Sequence, residues 1–89
     1  MNKKALLIGY GSVGKKHLQN LETNGYSVDI CEIDLSTLAN LKKKKYFVEK
    51  KVSKFKENVY DIAVIASWGP DHHKHFREVV EILKVKKLF

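Results

Sequence analysis

With 44% hydrophobic and 30% charged residues, the 89-residue chain has the composition of one globular domain with a modest core. No apolar run approaches the roughly 20 residues of a membrane span, which argues against a membrane partner. The formal charge of +7 invites a nucleic-acid reading. However, the excess is nearly all lysine, Arg77 is the only arginine, and no helix-turn-helix, zinc-ligand pair or aromatic RNA-binding strand accompanies it. Nucleic acid is therefore set aside as a partner. The basic Met1-Asn2-Lys3-Lys4 leads into only four apolar residues, a first strand rather than a signal peptide. The single Cys31 cannot form an internal disulfide, so a cytoplasmic location is expected.

Lys3 to Ile8 holds an unbroken apolar core, Ala5-Leu6-Leu7-Ile8, the mark of a parallel strand covered on both faces. Gly9-Tyr10-Gly11-Ser12-Val13-Gly14 follows at once. From Ser12 a helical spacing places Val13, His17, Leu18 and Leu21 on one side, and Asn24-Gly25 ends it. Val28 to Ile33 reads as the second strand. Asp34 then caps a helix carrying Leu35, Leu38 and Leu41. The block Lys42 to Lys45 falls where that helix ends, and cations there complement the helix dipole for about 0.3–1 kcal/mol each.

Tyr46-Phe47-Val48 forms a short third strand, and Lys50 to Asn58 a brief helix with Val52 and Phe55 inward. Asp61 to Ala66 is the clearest strand. Gly69-Pro70-Asp71 opens a last helix with Phe76, Val79, Val80 and Leu83 along its buried stripe, and Val85 to Phe89 begins a fifth strand. Alternating strands and helices imply right-handed crossovers and a parallel sheet. The expected architecture is α/β: a Rossmann-type doubly wound sheet of about five strands in the order 3-2-1-4-5, helices on both faces, spanning residues 1–89 as a single domain.

A lone GxGxxG is weak, but here it joins a buried strand to a helix and precedes a second strand ending in acid. Gly9 makes the tight turn, Gly11 lets a pyrophosphate approach the backbone, and Gly14 allows close helix packing. The N–H groups of Ser12, Val13 and Gly14 then face the phosphates at the positive helix end. Glu32 lies 18 positions past Gly14, close to the spacing of a ribose-binding acid, and Asp34 competes with it while reading first as a helix cap. A carboxylate there repels a 2′-phosphate and no arginine follows to welcome one, so NAD is expected rather than NADP.

His72, His73 and His75 lack further ligands at metal spacing, so no metal is expected. Cys31 reads as inert core, and Ser67 has no nucleophile-elbow context.

Three stretches, LLIGYGSVGKKHLQNL, VDICEID and DIAVIASWGPDHHKHF, resemble the N-terminal domain of the glucose–fructose oxidoreductase and inositol dehydrogenase (Gfo/Idh/MocA) family. That family's opening GxGxxGxxH is matched by Gly9, Gly11, Gly14 and His17. Its second-strand acid falls on Glu32, supporting Glu32 over Asp34. Its Ala-Thr-Pro-Asn stretch and following histidine align with Ala66-Ser67-Trp68-Gly69 and His72, which the resemblance makes cofactor contacts. Trp68-Gly69 in place of Pro-Asn is a departure. It leaves Trp68 either against the cofactor or as packing, and removes the asparagine contact.

The resemblance implies hydride transfer between a sugar or polyol hydroxyl and NAD. The family's catalytic lysine, in a Glu-Lys-Pro motif, and its substrate domain would lie past Phe89. The chain thus reads as a cofactor-binding domain with no catalytic residue of its own, a sugar-like substrate requiring the missing domain. A shortened fifth strand implies an exposed C-terminal edge and self-association. The rival reading is a nucleotide-sensing regulatory domain of potassium channels and transporters, which also opens with GYGxVG. Lys50-Lys51-Val52-Ser53 stands where such domains carry a Gly-Asp pair, and the enzyme-family reading is preferred.

Overall fold

Ala5, Leu6, Leu7 and Ile8 expose no surface at all, because they occupy the central strand of a sheet covered on both faces. The computed structural model describes residues 3–67 and 69–88. Its elements run β1 (Lys3–Ile8), α1 (Ser12–Thr23), β2 (Tyr26–Cys31), α2 (Leu35–Lys43), β3 (Val48–Glu49), a 3₁₀ turn (Val52–Phe55), β4 (Val59–Ile65), α3 (Gly69–Ile82) and β5 (Lys84–Leu88). The sheet is parallel with order β3-β2-β1-β4-β5, as expected of a Rossmann-type fold.

The pleat of β1 divides the core. Ala5 and Leu7 face Leu18 and Leu21 of α1 and Leu41 of α2, with Val28 and Ile30 beside them. Leu6 and Ile8 face the other way, toward Val52 and Phe55 of the 3₁₀ turn and Val79 of α3. Neither face of residues 5–8 is polar, which is why this stretch reads as a continuous apolar run. On the α3 side the buried Tyr60 ring packs edge-on against Phe55, and its hydroxyl donates to Asp29 Oδ2 at 2.6 Å. Desolvation, then the Asp29 carboxylate, push the Tyr60 phenol well above its usual range.

Several boundaries differ from those expected. β2 begins at Tyr26, where it pairs with Lys3, and stops at Cys31, so Ile33 lies beyond the sheet and is exposed. The third strand is Val48–Glu49 rather than Tyr46–Val48, although the Phe47 carbonyl already accepts the Ile30 N–H. The brief helix expected over Lys50–Asn58 is only the 3₁₀ turn, with Val52 and Phe55 buried as expected. β4 starts two residues early at Val59 and ends one early at Ile65; β5 begins one residue early at Lys84 and runs to Leu88, while Phe89 lies outside the described residues.

Val13 is half exposed, because the first turn of α1 opens onto the cleft described below rather than the core. Leu35 is likewise exposed, and of the expected α2 stripe only Leu41 is fully buried. On α3, Val79 is buried but Phe76 and Val80 are 50% and 61% exposed; the covered stripe continues through Leu83, just past the helix. The end of α1 is as expected: Gly25 sits at φ +87° and its N–H caps the Glu22 carbonyl at 3.0 Å. Among the described residues no helix is long and apolar enough to cross a membrane.

Candidate functional site

Three neighbouring strands, β2, β1 and β4, end side by side, and hydrogen bonds continue past their ends. The Gly9 N–H donates to the Cys31 carbonyl at 2.9 Å, and the Ala66 N–H donates to the Ile8 carbonyl at 2.7 Å. The Glu32 N–H likewise donates to the Glu49 carbonyl at 3.0 Å. The residues leaving each strand are thereby fixed, and they floor a cleft of about 290 Å³ at the carboxyl end of the sheet. That is where open α/β sheets place ligands.

Gly9 and Gly14 are demanded by the chain itself. Gly9 has φ +93°, and a Cβ on it would meet the Ser67 nitrogen at 3.0 Å and the Ala66 carbonyl carbon at 3.1 Å. A Cβ on Gly14 would lie 2.3 Å from the Gly9 carbonyl oxygen, so α1 packs on the turn at a distance only glycine permits. Gly11 differs. Its φ is −86° and a Cβ there would meet nothing within 4 Å. Nothing among the described residues requires glycine at that position, and the space beside it opens on the cleft.

The two helices flanking this turn begin in opposite ways. α2 is capped by its own sequence: Asp34 Oδ2 accepts from the Thr37 N–H at 2.9 Å, from Thr37 Oγ1 at 2.7 Å and from Ser36 Oγ at 2.9 Å. These bonds, the Thr37 hydroxyl first, hold the Asp34 carboxyl below its usual range. α1 starts from Gly11 with no side-chain cap and no acid in its first turn. Its leading N–H groups thus lack an acceptor among the described residues and carry the positive end of the helix dipole. Gly11, Ser12 and Val13 line the cleft; Gly14 is buried behind them.

Glu32 stands at the same mouth, beyond β2. One carboxylate oxygen accepts the Tyr10 N–H at 2.7 Å and the other the Asp34 N–H at 2.9 Å. The side chain therefore clasps the glycine turn to the β2–α2 connection, and both bonds are charge-assisted. Asp34 also lines the cleft, but its carboxylate is engaged in capping. Asp34 is thus the helix cap that its first reading made it.

At the opposite side Ala66 and Ser67 line the cleft, while Trp68 lies outside the described residues. His72 is exposed on α3, its ring edge-on to His73, and does not line the cleft. The histidine that does is His75, whose Nδ1 lies 2.7 Å from Ser67 Oγ. It sits one helical turn further along α3, a position that only the helix start and phase could have given. Tyr10, Cys31, Ile33 and Thr37 also line the cleft and were not singled out as site residues from the sequence.

Cys31 forms part of the floor. Burial, reinforced by the carboxylates of Glu78, Glu32 and Glu49, pushes its thiol up to about 12, and Sγ donates to the Lys50 carbonyl at 3.4 Å. It is an unreactive core thiol. Lysine approaches from a side groove between α1 and α2 that shares Tyr10 and Thr37 with the cleft. Lys15 lines it, its Nζ lying 5.9 Å from the Tyr10 ring centroid. Among the described residues no group of three or more His, Cys, Asp or Glu gathers as metal ligands.

A family model described as acetohydroxy acid isomeroreductase, NADPH-binding domain, matches residues 1–88. No curated protein matches the chain. The family match supports a Rossmann-type domain of an oxidoreductase that binds a nicotinamide dinucleotide. It supports neither the Gfo/Idh/MocA assignment nor a sugar or polyol substrate, and it favours NADPH where the Glu32 carboxylate had suggested NAD.

Proposed function

The chain belongs to the acetohydroxy acid isomeroreductase family of NADPH-binding domains, and from that premise we propose that it holds NADP(H) for the reduction step of such an enzyme. The observation that carries this reading is the uncapped start of α1. Its open N–H groups face a cleft beside Gly11, where the protein itself leaves room for a diphosphate. Exposed Ile33, beyond Glu32, offers apolar surface for the adenine base. The cofactor supplies hydride transfer when bound. The residues of this chain bind and orient it, and none is assigned a proton-transfer role.

Glu32 bears on the choice of cofactor. A carboxylate beside the adenosine ribose opposes a 2′-phosphate, but here each oxygen already accepts a backbone N–H, which offsets part of its charge. Lys15, over the Tyr10 ring in the adjoining groove, is the cation we assign to the 2′-phosphate. A second reading, NADH as the preferred cofactor, rests on Glu32 having lone pairs left for the ribose hydroxyls.

Calorimetric titration of the full chain with NADPH and NADH tests both. Saturable binding with NADPH tighter supports the proposal, and NADH tighter supports the second reading. No binding of either at millimolar cofactor, by folded protein, overturns both.

A further inference from the structure

The cleft crosses the ends of three strands in the order β2, β1, β4. Adjacent strands lie about 4.8 Å apart, so its two flanks are separated by roughly 10 Å. Glu32 stands on the β2 flank and the glycine turn with the open start of α1 in the middle. A dinucleotide with its diphosphate on α1 and its adenosine toward the acid lays its other nucleoside across the β4 flank. Among the described residues, the polar side chains lining that flank are Ser67 and His75, joined at 2.7 Å between Oγ and Nδ1.

We infer that Ser67 is a contact for the ribose on the nicotinamide side of the cofactor and that His75 is the positioning residue that aims its hydroxyl; this rests on the dinucleotide reading above. Ser67 is well placed to be held rigidly. Its backbone nitrogen abuts Gly9, within 3.0 Å of where a Cβ would stand, so main chain and side chain are both fixed. Whichever ring tautomer is present, the bond to Nδ1 uses one of the hydroxyl's three hydrogen-bonding capacities. If the serine donates to Nδ1, its lone pairs remain to accept a ribose hydroxyl. If Nδ1–H donates, the serine O–H remains to be given. Without His75 the hydroxyl rotates freely and loses its aim. His72, expected at this place, cannot substitute, since it does not line the cleft.

The test compares the full chain with its Ser67→Ala, His75→Ala, His75→Asn and Ser67→Ala/His75→Ala variants. Binding of NADPH, of NADH, and of ADP, which lacks the nicotinamide half, is measured for each. Both single alanine variants are expected to lose about five- to tenfold in affinity for the better-bound dinucleotide. The double variant should lose no more than the worse single one, because the two side chains act as a unit. Asparagine at 75 presents a polar atom near the Nδ1 position and should recover affinity to within about twofold of the unmodified chain. ADP affinity should not change in any variant, which also shows that each is folded.

Dinucleotide affinity unchanged in both single variants overturns the inference and leaves the dinucleotide reading standing. An equal loss for ADP and dinucleotide overturns it as well, since the pair would then act through the fold. Failure of the unmodified chain to bind any of the three nucleotides overturns the dinucleotide reading and this inference together.

Discussion

The Glu32 carboxylate reaches back across the mouth of the cleft to the Tyr10 N–H at 2.7 Å, tying the end of β2 to the turn after β1. Its other oxygen takes the Asp34 N–H at 2.9 Å. Glu32→Ala removes both acceptors at once. Charge-assisted hydrogen bonds contribute about 1.5–3 kcal/mol when buried, and this one is partly exposed, so a loss of about 1–3 kcal/mol is expected without any cofactor. Urea denaturation of the free domain measures it. A change under about 0.5 kcal/mol would show that the clasp is idle.

Gly11 and Gly14 should respond to alanine in opposite ways. Gly14→Ala drives a methyl against the Gly9 carbonyl, pushing α1 from the turn at a penalty of about 1–3 kcal/mol. Gly11→Ala meets nothing and suits its φ of −86°, so stability should hold within about 0.5 kcal/mol. Its methyl instead stands in the diphosphate's approach, and dinucleotide affinity should fall tenfold or more. Thermal melts and cofactor titrations of the two variants separate these effects; retained affinity in Gly11→Ala would remove the diphosphate from this turn.

Lys15→Ala should weaken NADPH by about three- to tenfold and leave NADH almost unchanged, since a lysine acting on a 2′-phosphate acts as a point charge. The difference should shrink with added salt. Equal losses for both cofactors would place the effect of Lys15 on the diphosphate or the fold instead.

Cys31 predicts an alkaline instability. Its thiol is held up to about 12 in the folded chain, by burial first, against 9.0 when free. Between those values the unfolded chain gives up a proton that the native one keeps. The contribution of Cys31 is therefore fully present below pH 9 and is lost as pH rises toward 12, at up to about 1.4 kcal/mol per pH unit. Unfolding free energies at pH 8, 9.5 and 10.5, compared with those of Cys31→Ala, isolate this share from that of the tyrosines. A parallel decline in the two proteins would rule it out. Native Cys31 should also resist maleimide at pH 8 until denaturant is added.

The sheet order and glycine turn were legible because both rest on local patterns. Ala5 to Ile8 is apolar without alternation, which only a doubly covered strand tolerates, and Gly9, Gly11 and Gly14 follow it directly. The Asp34 cap was legible for the same reason: its partners, Ser36 and Thr37, are two and three residues away. What escaped depends on distant contacts. His75 instead of His72 follows from where α3 starts and how it rotates over β4. The exposure of Phe76 and Val80 beside buried Val79 has the same origin. The clasp made by Glu32 escaped because its partner Tyr10 is 22 residues away and offers a backbone N–H, which every residue but proline carries. The cofactor preference drawn from Glu32 treated the carboxylate as a bare charge, whereas the family match favours NADPH.

β1 is buried on both sides, and this has a consequence for folding fidelity. In a strand with one wet face, a slip of one residue is punished because it exposes the wrong side chains. Sliding β1 by one position exchanges one aliphatic residue for another inside residues 5–8, and the mismatch appears only at the two ends, where exposed Lys4 or the glycine turn would enter the core. The markers that fix alignment then lie at the strand's two ends, at exposed Lys4 and at the turn where Gly9 has φ +93° and Gly14 closes on its carbonyl. Substitutions in this turn should therefore produce misaligned chains as well as weak binders, and be recovered as aggregates more often than as soluble inactive protein.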